Sequence, residues 1–223
     1  LSANVENLLL LGSASIDATG NASNNMMTGT GGNNVLDGGA GSDWMAGFGG
    51  DDTFIVDDAG DVVVESAGNG TDTVRSSVSF TLGANVENLI LTGAVWTNAI
   101  GNASNNVLTG NAGNNYIDGG AGDDTLAGGA GGDGLVGGDG TDTADYSASS
   151  AGVTVFLGTP IIVGGDAQGD ALISIENLQG SAFADTLGGD AGANHLFGGL
   201  GDDSMDGGAG ADSIVGGAGE DWV

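Results

Sequence analysis

Apolar residues recur every nine residues in three stretches of the chain. The most regular nine-residue units have glycines at positions 1, 2 and 4, a polar residue at position 6 and an apolar residue at position 8. Glycines suit a tight six-residue turn, and the last three residues suit a short strand with one inward side chain. The apolar position-8 residues are Met27, Leu36, Met45, Phe54, Leu108, Ile117, Leu126, Leu135, Leu187, Leu196, Met205, Ile214 and Val223.

This pattern predicts an all-β fold, a flattened parallel solenoid in which two units make one turn of 18 residues. Parallel strands stack at roughly 4.8 Å, so about 12 turns would form a rod on the order of 60 Å long with a thin core. No helix longer than two turns is expected.

The repeats divide the chain into arrays and linkers. We expect a linker strand segment at 1–19, a first array at 20–55, a β linker segment at 56–100, a second array at 101–145, a β linker segment at 146–179 and a third array at 180–223. Residues 1–47 and 82–128 are identical at 29 of 47 positions, so linker and array repeat together. The linkers either continue the solenoid or form small caps between separate rolls, and we favour continuation.

Composition excludes several classes of protein. The chain has 48 glycines and 30 acidic residues but only one basic residue, Arg75, which gives a net charge of −29. Such a charge repels nucleic acid, and the lack of cysteine and lysine excludes Cys/His zinc sites and P-loops. A Ser-His-Asp triad would require His195, which we expect to face outward. No apolar run approaches the roughly 20 residues that span a bilayer.

Position 6 supplies the candidate side-chain ligands for a metal ion. It is Asn in five units and Asp in nine: Asp43, Asp52, Asp124, Asp133, Asp142, Asp185, Asp203, Asp212 and Asp221. Residues 18 apart lie over one another, so carboxylates would repel unless a cation lay between them. Together with turn carbonyls they offer the six or so oxygen ligands that calcium prefers, whereas magnesium demands a small octahedral site.

The tandem motif Gly-Gly-x-Gly-x-Asp-x-apolar-x resembles the RTX, or hemolysin-type, calcium-binding repeats of secreted bacterial proteins. The resemblance implies a right-handed parallel β-roll with calcium in the turns. Its ligands would be the nine Asp side chains and turn backbone carbonyls near Gly38, Gly47, Gly119, Gly128, Gly137, Gly198 and Gly207. The resemblance also implies type I secretion as an unfolded chain. Units with Asn at position 6 should bind calcium weakly or not at all.

We therefore expect a calcium-binding structural or spacer module of a secreted or cell-surface bacterial protein, which folds when it meets calcium outside the cell. The alternatives are a non-catalytic accessory module of an extracellular protease, lipase or epimerase, and an adhesin or surface-layer segment that self-associates or binds a polysaccharide. The chain starts without Met and ends inside a repeat, so we expect a longer parent protein whose catalytic domain, if it has one, lies elsewhere.

Overall fold

The computed structural model describes residues 1–159 and 161–223. Most strands have three residues, because each nonapeptide leaves only three residues after its turn. In chain order the strands are β1 (Asn7–Leu9), β2 (Ala18–Thr19), β3 (Met26–Thr28), β4 (Val35–Asp37), β5 (Trp44–Ala46), β6 (Thr53–Val56), β7 (Val62–Val64), β8 (Thr73–Ser76), β9 (Phe80–Thr81), β10 (Asn88–Leu91), β11 (Asn98–Ile100), β12 (Val107–Thr109), β13 (Tyr116–Ala121), β14 (Thr125–Ala127), β15 (Gly134–Asp139), β16 (Thr143–Asp145), β17 (Thr154–Phe156), β18 (Ile162–Val163), β19 (Ala171–Ile173), β20 (Asn177–Gln179), β21 (Thr186–Gly188), β22 (His195–Leu200), β23 (Ser204–Asp206) and β24 (Ser213–Ala218).

The strands alternate between two faces of a parallel β-solenoid of about 12 turns, as the nine-residue period predicts. One face is a single sheet of 11 strands, β2-β4-β6-β8-β10-β12-β14-β16-β20-β22-β24. The opposite face has three sheets, ordered β1-β3-β5-β7, β19-β15-β13-β11-β9 and β18-β17-β21-β23. Within the repeats the register is 18 residues, so Leu36 pairs with Phe54 and Leu108 with Leu126.

The core is one cluster between the two faces, and position-8 side chains from both faces form much of it. Met27, Leu36, Met45 and Phe54 are fully buried, as are their counterparts in the second array. Fully burying a side chain of this size contributes roughly 1.5–3 kcal/mol, but most strands supply only one. In the last turn Ile214 is only partly buried and Val223 is 79 % exposed. The core is thin, so other interactions must help to hold the turns together.

The segments between the arrays contribute strands to the same sheets. In the first of these segments Leu82, Val86 and Leu89 enter the core, and β8 and β10 lie in the 11-stranded sheet. The second segment contains the antiparallel pair β17–β18 and a 3₁₀ helix, Gly165–Ala167, before β19 and β20 rejoin the parallel sheets.

Candidate calcium sites in the turns

Position-6 side chains form ladders along the turns. In each step a carboxylate Oδ1 accepts the backbone N–H of the position-6 residue one turn earlier, at 2.6–3.1 Å. The donor and acceptor residues are Asn25 and Asp43, Asn34 and Asp52, Asn106 and Asp124, Asp124 and Asp142, Asn115 and Asp133, Asp185 and Asp203, Asn194 and Asp212, and Asp203 and Asp221. Each side chain is thereby held in one orientation.

The second carboxylate oxygen is buried and lacks a hydrogen bond in six of these residues. They are Asp43, Asp52, Asp124, Asp133, Asp142 and Asp203, each at most 1 % exposed, and no described residue donates to their Oδ2 atoms. A buried carboxylate oxygen without a partner is costly unless a donor or cation satisfies it. These oxygens fit a hard cation.

Beside Asp124 and Asp203, a backbone carbonyl of the next turn lies near the unpartnered oxygen. At Gly119 the Asp124 Oδ2 and the Gly137 carbonyl oxygen both lie less than 3.0 Å from the position of an added Cβ. At Gly198 the Asp203 Oδ2 and the Gly216 carbonyl oxygen do the same. Position 1 is glycine because the space beyond its Cα is filled by oxygens from two turns.

The turns adopt two conformations, which differ in the peptide between positions 1 and 2. We call a turn open when its position-2 residue has positive φ, which turns that residue's N–H away from the position-6 side chain. Gly39, for example, has φ +78° and donates to Asp37 Oδ1 at 3.0 Å. The position-2 residues with positive φ are Gly39, Phe48, Gly120, Gly129, Gly138, Gly199, Gly208 and Gly217.

We call a turn closed when its position-2 N–H donates to the position-6 side chain. The closed pairs, at 2.6–2.8 Å, are Asn21 and Asn25, Thr30 and Asn34, Asn102 and Asn106, Asn111 and Asn115, Ser181 and Asp185, and Asp190 and Asn194. Each closed turn precedes the open turns of its ladder, so each ladder starts on a turn that satisfies its own polar atoms.

In closed turns with Asn, the side-chain amide bonds to a backbone carbonyl of the preceding turn. The Nδ2 atom of Asn34 donates to Ile16 at 2.9 Å, that of Asn115 to Thr97 at 3.0 Å, and that of Asn194 to Glu176 at 2.7 Å. The amide thus bridges two turns with its own N–H group. That Asn-bearing units bind calcium weakly or not at all stays a prediction.

Asp185 is the one predicted ligand in a closed turn. Its Oδ1 accepts from the Val153 N–H at 2.7 Å and the Ser181 hydroxyl at 2.9 Å, and its Oδ2 accepts from the Ser181 N–H at 2.6 Å. Both oxygens therefore have protein donors. Its ligand role stays a prediction, and these hydrogen bonds argue against it.

Burial raises the pKa of the six carboxyls whose Oδ2 atom has no hydrogen bond. It raises the pKa of Asp52 and Asp124 to about 6 and that of Asp133 to about 7. The backbone N–H that each accepts lowers its pKa, and neighbouring carboxylates raise it further, such as Asp142 beside Asp124. Protons and cations compete for these oxygens.

Sequence reasoning missed several acidic residues that join the ladders. The N–H of Asp43 donates to Asp61, that of Asp52 to Asp72, that of Asp133 to Asp170 and that of Asp142 to Glu176. Asp61 lies 18 residues after Asp43, so the spacing could have revealed it. The other three follow at spacings of 20, 37 and 34, which the nine-residue period does not predict.

Side chains alone do not build the sites. Over residues 1–159 and 161–223, no three His, Cys, Asp or Glu residues come together closely enough to hold a metal ion. The role of the turn carbonyls as ligands stays a prediction. His195 is exposed on β22, and the described residues include no helix with the length and apolar character of a membrane span.

Comparison with known families identifies these repeats. A family model described as RTX calcium-binding nonapeptide repeat (4 copies) matches residues 19–63, 100–135, 110–144, 174–205 and 188–223, more than half of the chain. The chain belongs to this family, so its turns are calcium-binding repeats of the β-roll kind. Individual curated proteins give no match.

Proposed function

We propose that the chain is a structural module of a secreted bacterial protein, which is exported unfolded and folds outside the cell when calcium binds. The observation that carries this proposal is the set of buried carboxylate oxygens without hydrogen bonds, three of which, in Asp124, Asp142 and Asp203, lie close to a backbone carbonyl oxygen of the next turn. Without cations, the net charge of −29 and the thin core favour the unfolded chain.

Calcium is the ion that fits the donor set best. The donors are the six unpartnered carboxylate oxygens and nearby carbonyl oxygens, a hard set that suits calcium. An ion bound only by the folded state at 100 times its Kd stabilises the fold by about 2.7 kcal/mol. A few such ions therefore match the ~5–15 kcal/mol by which a domain is usually stable.

Substitution of one open-turn carboxylate tests the assignment. Asp124→Asn keeps the oxygen that accepts the Asn106 N–H but removes the charge, so we expect the number of bound calcium ions to fall by about one. Asp185→Asn is the matched control, because it makes the same change in a closed turn and should leave the number unchanged. Equilibrium dialysis against calcium at pH 7.5 gives both numbers. Equal losses in the two variants would contradict the distinction between open and closed turns.

The same geometry supports a non-catalytic role. The orphaned carboxylates are buried in the turns, and His195 lies exposed on a sheet face. We propose that the chain performs no reaction and that any activity of its parent protein resides in another domain, as an accessory module of a protease, lipase or epimerase would require. Turnover of such a substrate by this chain alone would contradict this.

An adhesin or surface-layer role is the second candidate. It is favoured by apolar side chains on the outer face of the sheet β1-β3-β5-β7, where Leu9, Met26 and Val62 are 46–63 % exposed. Light scattering at saturating calcium distinguishes a self-associating segment, whose mass rises with concentration, from a spacer, whose mass does not.

A further inference from the structure

The second array ends where Asp142 faces a turn without the nonapeptide motif. Between the end of β19 at Ile173 and the start of β20 at Asn177 there are only three residues, Ser174, Ile175 and Glu176. The Oδ2 of Asp142 is buried at this junction, the side chain is 0 % exposed, and none of the described residues donates a hydrogen bond to this oxygen.

The backbone of Ser174 is turned toward that oxygen. Ser174 has φ +51°, a left-handed conformation that is unfavourable for a residue with a side chain. Its carbonyl oxygen and Asp142 Oδ2 both lie less than 3.0 Å from the position that a Cβ on Gly137 would take. The strained residue thus directs a carbonyl oxygen at the unpartnered carboxylate.

The pairing of a carboxylate oxygen with a carbonyl oxygen also occurs at Gly180, where Asp185 Oδ2 already accepts the Ser181 N–H. With an unpartnered Oδ2, as at Asp142, the pairing is seen at two turns of the repeats themselves. There the carboxylates are Asp124 and Asp203, and the carbonyls belong to Gly137 and Gly216, the position-1 glycines of the following turns. Ser174 therefore takes the place of a position-1 glycine, although its turn lacks the Gly-Gly-x-Gly sequence.

Glu176 takes the place of the position-6 aspartate. Its Oε2 accepts the Asp142 N–H at 2.8 Å, the bond that the next aspartate makes elsewhere in the ladder. Its Oε1 accepts no hydrogen bond from the described residues, whereas its backbone carbonyl accepts from Asn194 at 2.7 Å. Glu176 therefore ends one ladder with its side chain and supports the start of the next with its backbone.

Two other ladders end differently, on carboxylates that the protein satisfies. Asp61 Oδ2 accepts from the N–H groups of Asp57 and Asp58 at 3.1 and 3.2 Å. Asp170 Oδ2 accepts from the Tyr146 hydroxyl at 3.0 Å. The Oε1 atom of Glu176 has no equivalent donor among the described residues.

We propose that Asp142, the carbonyl of Ser174 and Glu176 form a calcium site at this junction, in which Ser174 and Glu176 lie outside the nonapeptide motif. The site provides two carboxylates and a carbonyl, and calcium completes its six to eight oxygens with further carbonyls or water. This inference rests on the proposed function, because it needs the turns to bind calcium.

The test compares two glutamates at corresponding junctions. Glu176→Gln keeps an oxygen for the Asp142 N–H but removes a charge, and we expect one fewer bound calcium ion, measured by equilibrium dialysis at pH 7.5. Glu87→Gln is the control, because Glu87 Oε2 accepts the Asp72 N–H at 2.8 Å but Asp72 has no buried oxygen without a partner. It should bind as many ions as the unmodified chain.

The outcomes separate this inference from the proposed function. If the unmodified chain binds no calcium, both fail; if it binds calcium and Glu176→Gln binds the same number with the same affinity, only the junction site fails. Anomalous scattering from crystals of the unmodified chain in calcium decides the matter if Glu176→Gln does not fold. A peak beside Asp142 and Ser174 supports the site, and its absence, with peaks beside Asp124 and Asp203, overturns it.

Discussion

Gly119→Ala is expected to destabilise the calcium-bound fold by about 3 kcal/mol, because inserting a methyl group into a filled space displaces its neighbours. The new Cβ would meet the Asp124 Oδ2 and lie 2.7 Å from the Gly137 carbonyl oxygen. Both atoms belong to one candidate calcium site. We therefore expect more calcium to be needed for folding and the denaturant midpoint to fall.

Gly134→Ala is the matched control in the same array. Its added Cβ would meet only the Tyr116 ring, at 3.6 Å, and its φ is not in the left-handed region. We expect a change within about 0.5 kcal/mol, as for substitutions that meet no obstacle. Urea unfolding at saturating calcium measures both variants, and a Gly119→Ala variant as stable as Gly134→Ala would contradict the proposed geometry.

At mildly acidic pH, protonation of the buried carboxyls is expected to stabilise the calcium-free fold, as calcium does at neutral pH. Burial raises the pKa of Asp124 to about 6 and that of Asp133 to about 7, above the ordinary value of 3.8. Between these values the folded state holds protons that the unfolded state has lost, so the calcium-free fold loses stability as pH rises from about 4 to about 7. Lowering the pH of the calcium-free chain from 8 to 5 should therefore increase its β structure.

With calcium present, the stability of the fold should depend on pH in the opposite direction. The ion requires ionised carboxylates and displaces their protons, so its apparent affinity should rise as pH increases from 5 to 7. Far-UV circular dichroism from pH 8 to 5, with and without calcium, measures both effects. Glu220→Gln, at an exposed position, is the control and should leave both pH profiles unchanged. A calcium-free chain whose β structure is lost on acidification would contradict the role of the buried carboxyls.

The sequence predicts the solenoid well because one physical constraint repeats. Each three-residue strand can bury one side chain, so Met27, Leu36 and their counterparts mark the core directly. The same period places Asp124 and Asp142 in one ladder, with the predicted 18-residue step. Both features depend on local spacing alone.

Position 6 alone does not determine whether a turn is open or closed. Asp185 has the predicted ligand residue but lies in a closed turn, because Ser181 at position 2 turns its N–H inward and adds a hydroxyl donor. A glycine at position 2 accompanies nearly all open turns, and Phe48, with φ +76°, is the exception. The sequence signal for the state of a turn therefore lies at position 2.

The junctions between arrays were the least predictable part. Glu176 enters the ladder 34 residues after Asp142, because β17, β18 and the short 3₁₀ helix lie between them in the chain. Pairing across such an insertion depends on tertiary packing, which a nine-residue period does not encode. Ser174 shows its role only through its φ and the direction of its carbonyl.

The central claim is that calcium on the buried carboxylates holds the solenoid together. Far-UV circular dichroism of the unmodified chain at pH 7.5, titrated with calcium and then with excess EDTA, tests it most directly. The account predicts a disordered spectrum without calcium, a β-rich spectrum once calcium binds, and a return to disorder in EDTA. A β-rich spectrum that survives excess EDTA at this pH would contradict it.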